Sequence, residues 1–325
     1  MTVNTKKVWF ITGASSGFGQ CLVTEVLGRG DRVIATSRSW KSLKALEGTN
    51  ENLRVLQLDV TAGPDIIKAK MAEAAAFFGG LDVIVNNAGV NYLGILEEGG
   101  SAYLRKQFDV CLFGVMDVTT AALPYLRAQK DGTVIIIGSR SAWIPEFPVR
   151  SRLYSLCTIP KALPQGLGAY ASAKAAVHAL AEGFSGELAH LNIRVLLVEP
   201  SAFRTGMSSA EGFIDGLERK DGIPDYDLPR NKTLSLFKAV LSQPGMVPGD
   251  PVKAMAAVVD VVRGEGVAVG RPWPTYLVLG KDAEKAILAK TDKLRNHLEE
   301  WTDVVRGVEF ETDNVASKTV FNADA

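Results

Sequence analysis

Short, almost unbroken apolar runs alternate along this chain with longer stretches of helical spacing. KVWFIT, RVIATS, RVLQLD, LDVIVNN, TVIIIGS and RVLLVEP are rich in β-branched and aliphatic residues. Runs of that kind mark strands buried on both faces of a parallel sheet. Between them, GQCLVTEVLGRG, GPDIIKAKMAEAAAFFG, SAYLRKQFDVCLFGVMDVTTAALPYLRAQ and YASAKAAVHALAEGFSGELAHLN predict helices. The β-α-β-α rhythm predicts right-handed crossovers and an α/β fold, a doubly wound parallel sheet with helices on both faces. There is no internal repeat. After Pro200 the pattern changes. RTGMSSAEGFIDGLERKDGIPDYDLPRNK is rich in Gly, Pro and charge and predicts a mobile loop with short helices. PTYLVLG predicts a last strand. From Asp282 to Val305 the chain reads as a helix, with Ile287, Leu294, Leu298, Trp301 and Val305 near helical spacing. The final ETDNVASKTVFNADA carries no pattern.

Composition narrows the function. The 325 residues are 47% hydrophobic, ample for a large core. Lys+Arg and Asp+Glu both number 36, so nothing predicts a nucleic-acid or membrane-surface partner. Three cysteines (Cys21, Cys111, Cys157) and three scattered histidines (His178, His190, His297) show no metal spacing. They argue against a disulfide scaffold and a zinc site, and fit a reducing compartment. No apolar run reaches membrane-spanning length, and the N-terminus lacks a signal-peptide core. These features predict a cytoplasmic protein with a small-molecule partner and no metal.

The first strand runs into TGASSGFGQ, which sets Gly13, Gly17 and Gly19 where strand becomes helix. Glycines there permit a tight turn and let backbone N–H groups approach a pyrophosphate, and the helix N-terminus favours its charge. In this βαβ context the turn predicts a Rossmann-type dinucleotide site. The second strand ends in ATSRS. An acid at that end would hold the ribose hydroxyl of NAD, whereas Ser37 followed by Arg38 suits the 2′-phosphate of NADP. Asp31 falls too early for that role. Asp59, after the third strand, is positioned either to accept from the adenine amino group or to cap the turn at Thr61.

Tyr170 and Lys174 stand four residues apart, one helical turn, so phenol and ammonium project from one face. A lysine that close favours the phenolate. Taken alone the pair is unremarkable, since any long helix offers such spacing. Its context gives it weight. With TGASSGFG at 12–19, LDVT at 58–61, NNAG at 86–89, Ser139 after VIIIG, YASAK at 170–174 and EPSAFRT at 199–205, the chain resembles the short-chain dehydrogenase/reductase family over residues from about 6 to 205. It looks most like the 17β-hydroxysteroid-dehydrogenase-like reductases.

The resemblance implies NADP(H)-dependent interconversion of a ketone or aldehyde and an alcohol. Tyr170 is then the general acid/base, Lys174 lowers the phenol pKa and bonds the nicotinamide ribose, and Ser139 holds the carbonyl oxygen. Cofactor contacts are implied for Gly13, Ser15, Ser16, Gly17, Phe18, Gly19, Arg38, Asp59, Val60, Asn87, Ala88, Gly89, Pro200 and Thr205, besides Tyr170 and Lys174. The chain is expected to divide into a dinucleotide-binding and catalytic domain at 1–282 and a C-terminal helix and tail at 283–325. Homodimers or homotetramers paired through the helices at about 101–129 and 170–191 are expected.

Three departures stand out. Cys111 occupies the place of an asparagine usual in the family, and a thiol is a weak replacement for an amide. A tolerated substitution, a repurposed site and a reactive cysteine remain open for it. Thirty-one positions separate Ser139 from Tyr170, a longer gap than usual, which places an insertion at about 143–166 beside the site. Ser201 stands where glycine is usual. A substrate loop is expected at about 205–250. The pocket residues expected are Cys111, Trp143, Phe203 and Met207, with Phe147 and Phe213 near them. A non-redox isomerase, dehydratase or cyclase and a dinucleotide-binding regulator are the competing classes.

Overall fold

Along each apolar run, successive side chains go to opposite faces. The computed structural model describes residues 6–145, 166–205, 214–242 and 247–310. In it the runs become seven parallel strands in the order β3-β2-β1-β4-β5-β6-β7. These are β1 (Val8–Ile11), β2 (Arg32–Ser37), β3 (Leu53–Gln57), β4 (Val83–Asn86), β5 (Gly132–Ile137), β6 (Ile193–Pro200) and β7 (Tyr276–Leu279). The helices are α1 (Gly17–Gly28), α2 (Trp40–Leu43), α3 (Pro64–Phe78), α4 (Leu96–Phe108), α5 (Gly114–Gln129), α6 (Gly168–Leu188), α7 (Asp227–Ser242), α8 (Pro251–Arg263), α9 (Lys281–Glu300) and α10 (Thr302–Gly307).

The sheet divides the core in two. Phe10, Ile34, Ile84, Val134, Ile136 and Leu197 face α3, α5 and α6, while Trp9, Ile11, Val33, Val85, Ile135 and Val198 face α1 and α8. Both faces are covered, so the strands need no polar side. The doubly wound α/β fold is as the pattern predicts. Asp31 is structural: it accepts from Lys7 N (3.1 Å) and Trp9 Nε1 (3.0 Å) and pairs with Arg263 (2.8 Å).

Several local features differ from the sequence expectation. The long helix before β5 starts at Leu96, and a π turn at Asp109–Phe113 joins α4 to α5. The joined run, Leu96–Gln129, is long and apolar enough to cross a membrane by length and composition. Its apolar side chains Val115, Val118, Ala122 and Leu126 are instead buried against the sheet. The charged segment after Pro200 includes a full helix, α7. Pro229 sits in its first turn, where the missing N–H costs nothing. The nearly buried Arg230 of α7 pairs with buried Glu98 of α4, and Glu98 also accepts from Ile223 N at 2.8 Å. The C-terminal helix is two helices that meet at Trp301. Most of the expected insertion, and Phe147, Cys157, Met207 and Phe213, lie outside the described residues.

Candidate active site

All strands of a parallel sheet end on the same edge, and the strand order reverses between β1 and β4. Ligands of such sheets bind at that switch point. A cleft of about 440 Å³ opens there. Its walls come from the turns after β1 (Gly13, Ser15, Ser16, Gly17, Phe18), β2 (Ser37, Arg38), β3 (Asp59, Val60) and β4 (Asn87, Ala88, Gly89), with Thr205 beyond β6.

The glycines are required by close approach. Gly13 has φ +64°, and a β-carbon there would stand 2.9 Å from Ala88 Cα. A β-carbon on Gly19 would meet Gly13 O at 2.3 Å. Gly19 thus lies beneath the cleft and lets α1 start against the turn. Asn87 ties the two turns together, donating from Nδ2 to Thr12 O at 2.8 Å and Gly13 O at 3.1 Å. Thr12, which the motif reading did not single out, accepts from both Asn87 N and Ala88 N at 2.9 Å. The result is a rigid backbone cradle of the kind a pyrophosphate needs.

At the far end of the cleft, Arg38 is exposed on the rim. Ser37 is buried, with hydroxyl contacts to Ser15 (3.3 Å) and Ser42 (3.1 Å). Asp59 takes Thr61 N and Thr61 Oγ1 on one oxygen, at 2.9 and 2.8 Å, so its capping role is realised at the cleft wall. Tyr92, also on the wall, has its phenol pKa raised by burial.

Tyr170, Lys174 and His178 follow one another at four-residue steps along α6 and are all buried. Lys174 Nζ donates to Ile137 O at 2.6 Å, and lies 5.8 Å from the centre of the Tyr170 ring. Ile137 ends β5, two residues before Ser139. Ser139 caps a short 3-10 turn (Arg140–Ala142), and its Oγ accepts from Ser141 N at 3.1 Å. Ser139, Tyr170 and Lys174 are therefore assembled at the end of β5. Pro200 closes β6 on the same sheet edge.

The pocket residues fare differently. Cys111 sits in the π turn and is fully buried. Its thiol is 3.4 Å from Val90 O, and Gln107 Nε2 donates to its sulfur at 3.1 Å. It packs inside the fold rather than on a substrate wall. Gln107, unnoticed in the sequence, supplies an amide one turn earlier: it donates to Val90 O (2.8 Å) and accepts from Tyr92 N (3.0 Å). That clamp holds the segment after NNAG. Phe203 stacks edge-on to Phe18 at 5.2 Å and packs on the core, which turns it toward the cofactor side. Trp143 donates from Nε1 to Glu199 at 2.6 Å. Glu199 is fully buried and stands 2.8 Å from His178 Nε2, although these two atoms are misaligned for a hydrogen bond. Ser201 fits against Gly280, where a β-carbon would meet its Oγ at 2.3 Å.

Gln107 leads to an expected result for Cys111. Cys111→Ala leaves the Gln107 clamp intact, so turnover stays within several-fold of the parent. Gln107→Leu leaves Tyr92 N unpaired and Val90 O with only the weak Cys111 thiol contact and costs about 1–3 kcal/mol, read by thermal denaturation. A loss of turnover in Cys111→Ala as deep as that of Tyr170→Phe would show that the thiol takes part.

A doubly wound sheet with a glycine cradle at its switch point defines a dinucleotide-binding α/β protein. Residues 7–151 and 161–212 match the family model described as short chain dehydrogenase. The chain belongs to the short-chain dehydrogenase family. It is an oxidoreductase of that family, which uses nicotinamide dinucleotides and acts on small molecules. Oxidoreductase BOA17 of Botryotinia fuckeliana is 29% identical over 301 residues, covering 92% of this chain and 97% of that protein. Retinol dehydrogenase 16 of Homo sapiens is 31% identical over 215 residues, 64% of this chain and 60% of that protein. The crystal structure of a short-chain dehydrogenase from Streptomyces avermitilis superposes with a TM-score of 0.75 at 32% identity, covering 94% of this chain and 100% of that one.

Proposed function

We propose that the protein is an NADP(H)-dependent enzyme that interconverts a ketone or aldehyde and an alcohol on a small hydrophobic molecule. The observation that carries this is the bond from Lys174 Nζ to Ile137 O. It locks the helix bearing Tyr170 to the strand end bearing Ser139.

When bound, the nicotinamide supplies or accepts the hydride. Tyr170 gives a proton to the substrate oxygen in reduction and takes it back in oxidation. Ser139 Oγ already accepts from Ser141 N, so its own proton is directed outward to the same oxygen, where it steadies developing charge. Lys174 would hold the ribose and stands beside the phenol. The turn at Gly13–Gly19, the Asn87–Gly89 segment and Thr205 would hold the diphosphate and nicotinamide ends, with Pro200 beside them.

Arg38 supports NADP, because no acid stands at the end of β2 to repel a 2′-phosphate. An apolar substrate is supported by the likeness to a retinol dehydrogenase and by the resemblance in general sequence texture to 17β-hydroxysteroid-dehydrogenase-like reductases. Among the described residues Cys21 and Cys111 are free cysteines, which suits a cytoplasmic setting.

The test is incubation with NADPH and a panel of hydrophobic ketones, followed by cofactor absorbance. Cofactor binding without consumption across the panel would favour a non-redox enzyme or a regulator. For the cofactor itself, Arg38→Asp is expected to weaken NADPH by about 10- to 100-fold, as loss of a charge-assisted hydrogen bond of about 1.5–3 kcal/mol implies. Titration of the parent protein showing tighter NADH than NADPH would overturn the preference.

A further inference from the structure

An isolated helix of twenty residues is marginal in water unless an apolar face is packed. α9 packs only its first turns, through Ala283 and Ala286, and every residue from 291 to 300 is exposed. This free part is not uniformly polar. Ile287, Thr291, Leu294, Leu298, Trp301, Val305 and Val308 follow in alternating steps of four and three, the spacing of a coiled-coil seam. Leu294, Leu298, Trp301 and Val308 are each more than half exposed. The stripe survives the bend at Trp301, because Val305 N donates to Trp301 O at 2.9 Å as α10 begins. It runs for about 30 Å at the ~1.5 Å rise per residue of a helix.

The charges beside the seam are divided along its length. Before Leu298 stand Lys290, Lys293 and Arg295 with one acid, Asp292, already paired to Arg295 at 3.4 Å. After it stand Glu299, Glu300, Asp303 and Glu309 with one base, Arg306. A second copy laid antiparallel sets each basic half on an acidic half. A parallel copy sets like on like. An anionic membrane surface would meet the acidic half, whereas helices that lie on such surfaces carry basic polar faces.

We infer that residues 287–308 form the self-association surface of this protein, pairing antiparallel with the same segment of a second copy. The surface is separate from the helices expected to pair from family resemblance. Of those, Ala171 and Phe184 are buried within their own chain, while Phe113 and Met116 remain exposed.

The test is sedimentation of the full-length protein at micromolar concentration. Leu294→Glu with Leu298→Glu should halve the mass while leaving cofactor titration unchanged. Lys290→Glu, Lys293→Glu and Arg295→Glu together should also dissociate it. Adding Glu299→Lys, Glu300→Lys and Asp303→Lys to that chain should restore the original mass, because both halves are then reversed. A monomeric parent overturns the inference, as does a mass that falls with Phe113→Glu but not with the leucine changes. A monomer that floats with phosphatidylserine vesicles overturns it in favour of a lipid surface.

Discussion

Tyr170→Phe should reduce turnover of a confirmed ketone substrate by at least ~100-fold, the loss expected when a general acid is removed. The ring stays in its buried place, so the fold and cofactor titration should be unchanged. The contrast with Lys174→Ala makes the result specific. That change removes the bond to Ile137 O as well as the charge near the phenol, so turnover and cofactor affinity should fall together. Tyr170→Phe turning over at the parent rate would remove the phenol from the mechanism, whatever the family resemblance implies.

The second large effect is expected in stability. Glu199 is fully buried, accepts from Trp143 Nε1 and lies 2.8 Å from His178 Nε2. Removing either residue leaves buried polar atoms of the other against an apolar replacement, at a cost of about 1–3 kcal/mol. His178→Leu and Glu199→Leu should each lower stability on that scale, measured by denaturant unfolding with NADPH absent. The double variant should cost clearly less than the sum, since neither residue is then left facing an apolar replacement. Additive costs within about 0.5 kcal/mol would show the two residues to be uncoupled. Glu199 also joins the strand that ends at Pro200 to Trp143, four residues past Ser139. A change in KM without a change in cofactor affinity would therefore locate Trp143 on the substrate side.

The parallel sheet was legible because its strands are buried on both faces, which leaves uninterrupted apolar runs such as TVIIIG. The glycine turn was legible because its residue types answer to backbone geometry that only glycine satisfies. Local chemistry with no fixed spacing was not. Gln107 contributes its amide from a position that reads as an ordinary polar helix residue, and the π turn that presents Cys111 has no sequence mark. α7 was hidden by Pro229 and its charges, because the buried Arg230–Glu98 pair that holds it is long-range. Phe203 read equally as pocket or core, and only its contact with Phe18 decides between them.

The placement of β1 has a consequence for biosynthesis. Val8–Ile11 is made before the other six strands, yet it lies inside the sheet, between β2 and β4, with Trp9 opposite Val83. At ribosomal rates of ~5–20 residues per second, that partner emerges about 4–15 s later. Until then a strand of VWFI keeps one hydrogen-bonding edge open, and such an edge is a template for other chains. Nascent chains cut short before β4 should therefore aggregate, and the yield of the whole enzyme should depend on what shields the segment from β1 to β4 during synthesis.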